Sequence, residues 1–326
     1  MPSTSIDHAF TADSALGAAG DPTYAGALSF MRRRHTKTVD GTDVTVWGIP
    51  FDASVSNRPG TRFGPQALRR ASAIFDNDPQ FPFNTDLFET LSVVDYGDCL
   101  LDYRLPETAH ETIRAEATAL IARTGFLMTL GGDHSITFPL LQAHVAQHGK
   151  LSLVQFDAHQ DTWPVATGGD GQPRVDHGSF VKAAVDAGLI DPATSIQIGI
   201  RTHAPEDCGL AILDGEAVEE MTSAAIAEAI LSRAGGTPTY LSFDIDCLDV
   251  AFAPGTGTPV AGGPSSAKML AVLRRLGELR LVGADVVEVS PPYDHSDMTA
   301  IAGATVAMYV LGLLAQKQAA APRPAR

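Results

Sequence analysis

Short apolar segments alternate along the chain with longer segments in which apolar residues recur at helical spacing. Most of the short segments are nearly continuous apolar runs, as is typical of strands covered on both faces. They predict strands at residues 44–49, 91–95, 126–130, 151–156, 195–200, 210–213, 239–243 and 281–288. The longer segments predict helices at residues 65–73, 107–124, 135–148, 178–188, 222–234, 265–278 and 298–317.

This alternation predicts an α/β fold. Strand–helix–strand units place successive strands in parallel and put the connecting helices on both faces of the sheet. We therefore expect one domain over residues 1–326, a three-layer αβα sandwich with a mostly parallel sheet of about eight strands. Residues 1 to about 40 and residues 319–326 lie outside the alternation, and we interpret them as a peripheral N-terminal extension and a flexible tail.

The last predicted helix includes residues 298–315, a stretch of 18 residues without a charge. That length is about the lower limit for a membrane span. Ser296 and Asp297 precede the stretch as candidate N-caps, and the sequence has no second such stretch, so we interpret it as a buried helix. The N-terminal residues lack a basic segment followed by an apolar run, and we expect no signal peptide.

The composition is that of an ordered globular protein with an acidic surface. Hydrophobic residues make up 44% of the chain, and 23 Lys and Arg stand against 38 Asp and Glu, a formal net charge of −15. This balance disfavours nucleic acid or an anionic membrane as a partner and favours metal ions or basic small molecules. The three cysteines have no Cys-x-x-Cys spacing, which fits a cytoplasmic location without a disulfide framework.

Candidate chemistry is concentrated where predicted strands end. Ligands of open α/β sheets bind beyond the carboxyl ends of the strands. Three predicted strands are followed there by residues 131–135 (GGDHS), 157–161 (DAHQD) and 244–246 (DID). No strand is followed by a GxGxxG or GxxxxGK[ST] motif, so dinucleotide and P-loop nucleotide sites have no support.

These three segments predict a metal centre. In an extended chain, side chains at positions i and i+2 point to the same side, so the acidic and histidine side chains can converge. Four carboxylates and two imidazoles are more ligands than one catalytic zinc uses, and the carboxylates would repel one another without cations. We expect two divalent ions that share carboxylates, with nitrogen and oxygen ligands that favour Mn²⁺. The six candidate ligands are His134, Asp157, His159, Asp161, Asp244 and Asp246.

The same segments resemble the ureohydrolase (arginase/agmatinase) family, and within it the bacterial agmatinases most. The resemblance extends from about Pro22 to the last helix and includes residues 60–65 (GTRFGP), 196–201 (IQIGIR), 251–258 (AFAPGTGT) and 288–294 (EVSPPYD). It implies an arginase-type sandwich, two manganese ions per subunit, and hydrolysis of a guanidinium group to urea and an amine. It also implies that the protein is a homo-oligomer, either a trimer or a hexamer.

The resemblance also implies roles for individual residues. His177 resembles the family's proton-shuttling histidine, Glu288 the carboxylate that holds the guanidinium, and Thr258 a group that orients Glu288. Asp161 is counted with His177 and Glu288 as catalytic. His134 and Asp161 would bind one ion, His159 and Asp246 the other, and Asp157 and Asp244 would bridge them.

The chemistry of guanidinium hydrolysis fits these roles. A hydroxide that bridges two ions is available at neutral pH, because metal binding lowers the pKa of water by several units. The charge of a guanidinium is delocalised, so its carbon is a poor electrophile that must be positioned by a carboxylate. The departing amine needs a proton, which a histidine of near-neutral pKa can supply.

Two substrates remain open. The leading interpretation is a manganese-dependent hydrolase of linear amidines that converts agmatine to putrescine and urea, a step of polyamine biosynthesis. The alternative is a guanidinobutyrase or another guanidino-acid hydrolase, because residues 57–60 (NRPG) resemble those enzymes and loop 162–176 is longer than its agmatinase counterpart. Trp163, in that loop, and Asn57 are candidate contacts for the distal end of the substrate.

Two further functions are disfavoured. A catalytically inactive regulatory paralogue should have lost some of the ligand positions, and all of them are present. A phosphatase or nuclease would need a cluster of Lys and Arg near the metal motifs. The sequence shows no such cluster, although Arg58, Arg62 and Arg174 have no assigned role.

Overall fold

The computed structural model describes residues 7–17, 20–75 and 79–320. Residues 1–6 of the predicted extension and residues 321–326 of the predicted tail lie outside this description. The strands are β1 Arg34–His35, β2 Val44–Gly48, β3 Val93–Asp98, β4 Leu127–Leu130, β5 Ser152–Phe156, β6 Ala166–Thr167, β7 Pro173–Arg174, β8 Ile196–Ile200, β9 Ala211–Asp214, β10 Pro238–Asp244 and β11 Arg280–Val287. The helices are α1 His8–Thr11, α2 Gly64–Ser72, α3 Leu87–Thr90, α4 Ala109–Ile121, α5 Thr137–His148, α6 Phe180–Asp186, α7 Gly215–Glu220, α8 Ser223–Ala234, α9 Ser266–Leu273 and α10 Met298–Ala320.

Nine strands in the described part of the chain form one parallel sheet, in the order β1-β3-β2-β4-β11-β10-β5-β8-β9. All eight predicted strands are found in it, so the expected fold class is confirmed. The ninth is the edge strand β1, which pairs with β3 through Arg34 opposite Val94. This strand was not predicted, because its two residues are polar and too few to form an apolar run. Because Phe30 and Met31 just before it are fully buried, the segment before residue 40 is partly integral to the sheet and its core.

Helices cover both faces of the sheet and complete three layers. On one face, buried residues of α2, α3, α7, α8, α9 and α10 form an apolar core with the strands. On the other face, α4, α5 and α6 form a second core. Strands buried on both faces explain why the sequence shows nearly continuous apolar runs instead of an alternating pattern.

Helix α10 is long and apolar enough to cross a membrane by length and composition alone, but 72% of its most apolar window is buried inside the protein. A Cβ atom at Gly303 would lie 2.8 Å from a methyl group of Leu68, so glycine there lets α10 approach α2 closely. The predicted caps are wrong, because Asp294 accepts the N–H groups of Thr299 and Ala300. Helix α10 is therefore a core helix.

The four central strands place their carboxyl ends at one edge. Strand β11 lies between β4 and β10, and β5 lies on the far side of β10. Leu130 pairs with Val286, and Phe243 pairs with Phe156, so the four strands end at nearly the same level. The segments that follow them are those with the candidate metal ligands.

Candidate metal centre and active site

The six candidate ligands meet at this edge. Nδ1 of His134 lies 3.1 Å from Asp157, 3.0 Å from Asp161 and 3.1 Å from Asp244, measured to Oδ2 of each. Nδ1 of His159 lies 3.5 Å from Oδ1 of Asp157. Asp157 therefore contacts both histidines. The ligand atoms of His134, Asp157 and Asp244 form one cluster, and those of Asp157, His159 and Asp246 form a second.

Local turns bring these side chains together. The carboxylate of Asp157 accepts the N–H of His159 at 2.6 Å, and that of Asp244 accepts the N–H of Asp246 at 2.8 Å. Each aspartate thus closes a turn over the residue two positions on. The predicted i, i+2 convergence is found, but its cause is this turn and not an extended chain. Asp161 has a left-handed backbone with φ of 51°, and its carbonyl accepts the N–H groups of Val181 and Lys182.

A buried hydrogen-bond chain orients the imidazole of His134. The hydroxyl of Ser242 donates to Oδ1 of Asp285 at 2.6 Å, so it accepts from Nε2 of His134 at 2.8 Å. The proton of the neutral ring is then on Nε2, and Nδ1 presents a lone pair to the carboxylates. The carboxylate of Asp285 is fixed in turn by the hydroxyls of Thr137 and Tyr240.

Neither Ser242 nor Asp285 is among the predicted site residues, although the position of Asp285 in its strand is a signal that could have identified it. Apart from Arg280 at its exposed start, β11 has one charged residue, Asp285, and that residue is fully buried. A buried carboxylate needs partners, so its place in the strand points to a polar network at this level of the sheet.

The donor set fits divalent cations. With the ring neutral, the lone pair of His134 and three carboxylate oxygens face one another as acceptors, and Nδ1 of His134 is buried with no hydrogen-bond partner among the described residues. Burial and then the charge of Asp157 raise the pKa of Asp161 to about 7. Burial and the charges of Asp246 and Asp157 also raise the pKa of Asp244. An ion held at about 2.1 Å by ligands at right angles separates the ligand atoms by about 3 Å, as found here.

Glu288 follows β11 and lies against this centre. It is 1% exposed and has a left-handed backbone with φ of 62°. Its Oε1 accepts the N–H of His134 at 2.9 Å, whereas Oε2 is buried without a partner among the described residues. An unpaired buried carboxylate oxygen is costly, so this atom is suited to a cationic hydrogen-bond donor.

His177 joins Glu288 to a neighbouring loop. Its Nδ1 lies 3.1 Å from Oε1 of Glu288, and its Nε2 receives the N–H of Ser56 at 3.0 Å. In the neutral ring the proton is therefore on Nδ1 and is donated to Glu288. Burial lowers the pKa of His177, but the hydrogen bond and the charge of Glu288 outweigh burial and raise the pKa to about 9. A cation bound to Glu288 would counteract this increase.

The three remaining candidate residues for the substrate site lie at different places around Glu288 and His177. Thr258 donates to Oδ2 of Asp246 at 3.2 Å, which places it beside a proposed metal ligand, and its expected role in orienting Glu288 stays a prediction. Asn57 donates to the carbonyl of Gly257, where a Cβ atom would lie 3.5 Å from Oε2 of Glu288. Trp163 is half-buried, and its indole ring lies 3.8 Å from a Cβ position at Gly178, next to His177. Asn57 and Trp163 thus remain predictions for substrate contacts.

Loop 162–176 forms the antiparallel hairpin β6–β7 and borders a cavity of about 910 Å³. Residues 53–56 and the start of α4 form the other walls. Among the polar lining residues are Ser54, Ser56, Glu107, His110, Glu111, Arg114, Gln142, Asp170, Arg174 and Asp176. The length of this loop therefore shapes a cavity beside His177.

Comparison with known proteins agrees with this fold and centre. Residues 42–312 match the arginase family. The chain belongs to the arginase family, and the protein is therefore a ureohydrolase. A protein described as agmatinase from Chromobacterium violaceum is 45% identical over 315 residues, which cover 96% of this chain and 97% of the relative. An agmatinase from Neisseria meningitidis serogroup A is 44% identical and covers 85% of this chain and 88% of the relative.

Solved structures of related proteins have the same fold. A hypothetical agmatinase from Burkholderia thailandensis superposes with a TM-score of 0.93 at 48% identity, covering 96% of this chain and 99% of the other. Proclavaminate amidino hydrolase from Streptomyces clavuligerus superposes with a TM-score of 0.86 at 38% identity, covering 91% and 100%.

Proposed function

We propose that the protein is an agmatinase that hydrolyses agmatine to putrescine and urea with two Mn²⁺ ions. The names of the relatives at 44–45% identity over most of the chain support this substrate. The structural observation that carries the proposal is Oε2 of Glu288, a buried carboxylate oxygen without a partner among the described residues, next to the cluster of ligands. A guanidinium group matches such an atom in charge and in hydrogen-bonding capacity.

The proposed metal ligands are the six residues at the sheet edge. His134 and Asp161 would hold one ion and His159 and Asp246 the other, with Asp157 and Asp244 shared. When bound, such ions act as Lewis acids and lower the pKa of water, which supplies a nucleophile at neutral pH. Nitrogen and oxygen ligands without sulfur suit Mn²⁺.

The chain's own residues bind, orient and protonate the substrate. Oε2 of Glu288 holds the guanidinium by charge-assisted hydrogen bonds and fixes its carbon beside the ligands. Nδ1 of His177, 3.1 Å from the same carboxylate, is placed to give a proton to the departing amine. Because Glu288 is almost fully buried, bulk water does not compete for these bonds.

A urea-release assay on agmatine, arginine, 4-guanidinobutyrate and 3-guanidinopropionate tests the proposal. We expect the highest kcat/KM for agmatine in the presence of Mn²⁺, and loss of turnover after exhaustive chelation. Preference for an acid would contradict the proposed substrate. Undiminished turnover after chelation would contradict the proposed metal requirement.

A guanidino acid is the second candidate substrate. The guanidinium of Arg58 is exposed and lies 5.1 Å from the ring centre of Tyr293. The carbonyl of Arg58 lies 3.0 Å from a Cβ position at Gly257, which borders Glu288. A cationic side chain at this rim could attract a carboxylate tail, and proclavaminate amidino hydrolase is a structural neighbour. The assay panel separates the two substrates directly.

We also propose a cytoplasmic homo-oligomer. All three cysteines are free thiols, and Cys99 and Cys247 are buried. Ile74 and Phe81 are 67% and 75% exposed, which supports a surface that is covered in an assembly. Light scattering during size-exclusion chromatography is expected to give the mass of a trimer or hexamer.

Manganese binding is expected to release protons at about pH 6. Asp161 has a pKa of about 7 in the folded chain without ions, against 3.8 ordinarily. The folded chain therefore binds more protons than the unfolded chain between these values, so its free energy of unfolding falls as pH rises through that window. Ions displace the same protons. Calorimetric titration in two buffers of different ionisation enthalpy should give different heats, and equal heats would contradict the raised pKa.

Substitution of Ser242 with alanine is expected to weaken metal binding by about 10- to 100-fold. The variant removes the hydroxyl that accepts from Nε2 of His134 and so releases the ring from its orientation. Competitive titration of Mn²⁺ with a chelator measures the change. Ser232→Ala, at an exposed position of α8, is the matched control. An unchanged affinity for Ser242→Ala would show that the hydrogen-bond chain does not orient His134.

A further inference from the structure

Ser56 lies between His177 and the cavity beside loop 162–176. Its hydroxyl is 2.8 Å from Nε2 of His177, and its backbone N–H lies 3.0 Å from the same atom. Ser56 is exposed and is one of the residues that line the cavity of about 910 Å³. Nδ1, on the opposite side of the ring, contacts Glu288. The imidazole therefore has one nitrogen toward the guanidinium site and the other toward a cavity through Ser56.

The loop around Ser56 is held firmly. The N–H of Ser54 donates to Oδ2 of Asp133 at 3.0 Å, and the side chain of Asn57 donates to Gly257 at 2.9 Å. The N–H of Gly60 donates to the buried carboxylate of Asp52 at 2.8 Å. These bonds lie on both sides of Ser56 and hold its backbone in a position from which Oγ lies 2.8 Å from Nε2.

A hydroxyl suits both protonation states of this nitrogen. A serine hydroxyl can donate or accept and rotates to do either, whereas a backbone N–H only donates. When Nε2 is unprotonated, the hydroxyl and the N–H of Ser56 can both donate to it. When Nε2 is protonated, the hydroxyl can turn and accept, whereas the backbone N–H of Ser56 loses Nε2 as its acceptor. Among the contacts of Nε2 in the described part of the chain, the hydroxyl of Ser56 is the one that can follow the change.

We propose that Ser56 is a positioning residue that relays protons between Nε2 of His177 and water in the cavity, an inference that rests on the proposed hydrolysis. The O–H bond of Ser56 breaks as its proton goes to the lone pair of Nε2, and Oγ takes a proton from a protonated water or buffer acid. The ring then carries two protons, and Nδ1 gives one to the departing amine. The ring is reset when Nδ1 takes up a proton lost by the attacking water and Nε2 returns its proton through Ser56.

The charges of the cavity favour proton transfer from the cavity to Nε2 of His177. Arg114 pairs with Glu111, and Arg174 pairs with Asp170, which leaves Glu107 and Asp176 among the lining carboxylates without an arginine. An excess of acid raises the local concentration of cationic proton donors. The charged groups that act on His177 itself are Glu288, Asp161 and Asp133.

Ser56→Ala tests the relay. We expect kcat for the preferred substrate to fall about 10- to 100-fold with little change in KM, because proton delivery slows while the guanidinium contacts remain. A small buffer acid that binds Mn²⁺ weakly, such as MES, should restore kcat in proportion to its concentration. Ser56→Thr keeps a hydroxyl and should retain most of the activity. Gln142→Ala, in the same cavity wall but on α5, should match the wild type and show no rescue.

Two outcomes would overturn the relay. One is wild-type kcat for Ser56→Ala at every pH tested. The other is a fall in kcat that buffer does not rescue and that Ser56→Thr shares, which would assign Ser56 a packing role alone. Thermal unfolding and manganese content of each variant show whether it is folded and loaded. Wild-type urea release in the same assay tests the proposed function separately from the relay.

Discussion

Replacing Asp157 with asparagine is expected to lower the rate of urea release by about 10³-fold or more and to reduce the bound manganese below two ions per chain. Asp157 is fully buried and is the residue that both clusters of ligand atoms contain. An amide keeps the size of the side chain but removes the charge that balances two cations. It also replaces one oxygen with an NH₂ group that cannot bind a metal ion.

Metal analysis and steady-state kinetics on the same preparation measure both effects. Asp186→Asn is the matched control, because that carboxylate is 57% exposed, pairs with Lys182 and should be dispensable. Two tightly bound ions and near-wild-type turnover in Asp157→Asn would remove the bridging role. Asp244→Asn should behave like Asp157→Asn if both carboxylates are shared.

Glu288→Gln is expected to lower kcat/KM by about 10²- to 10³-fold while both metal ions remain bound. The amide can still accept the N–H of His134 through its oxygen, so the shape of the site should persist. What it loses is the negative charge opposite the guanidinium. The loss should therefore be in substrate binding and positioning and not in metal content.

The separation between kinetics and metal content is the test of this role. Glu219→Gln is a suitable control, because its carboxylate is 75% exposed and should have no effect on either quantity. If Glu288→Gln lost a metal ion, Glu288 would act as a ligand and the proposed guanidinium site would be wrong. If it kept full kcat/KM, the unpaired Oε2 would have no part in binding.

Much of the metal centre could be predicted because parallel strands in one sheet share the edge at which they end. In βαβ units every strand ends at the same edge, so a histidine or aspartate directly after a strand must lie at that edge. Asp157 follows β5 directly, His134 lies four positions after β4 and Asp244 is the last residue of β10, and the structure brings their ligand atoms together. Local sequence was sufficient for this step.

Contacts between strands could not be predicted in the same way. Ser242 on β10 meets Asp285 on β11 because these strands are neighbours, and strand order is not written in local sequence. Thr258 meets Asp246, 12 positions earlier, because the loop after β10 turns back toward the end of that strand. Ser56 meets His177 across two loops that are 121 positions apart.

The parallel topology has a kinetic consequence. His134 and Glu288, which share a hydrogen bond at the centre, are 154 positions apart. The ligand segments follow β4, β5 and β10, and Glu288 follows β11, so no fragment shorter than residues 134–288 contains all of these residues. Bringing such distant segments together costs chain entropy before the contacts stabilise the fold. We therefore expect the ions to bind after the folding transition state, and interactions made after that state mainly slow unfolding. For this chain, bound manganese is therefore expected to lower the unfolding rate. Its removal would shorten the lifetime of the native state far more than it would change the folding rate.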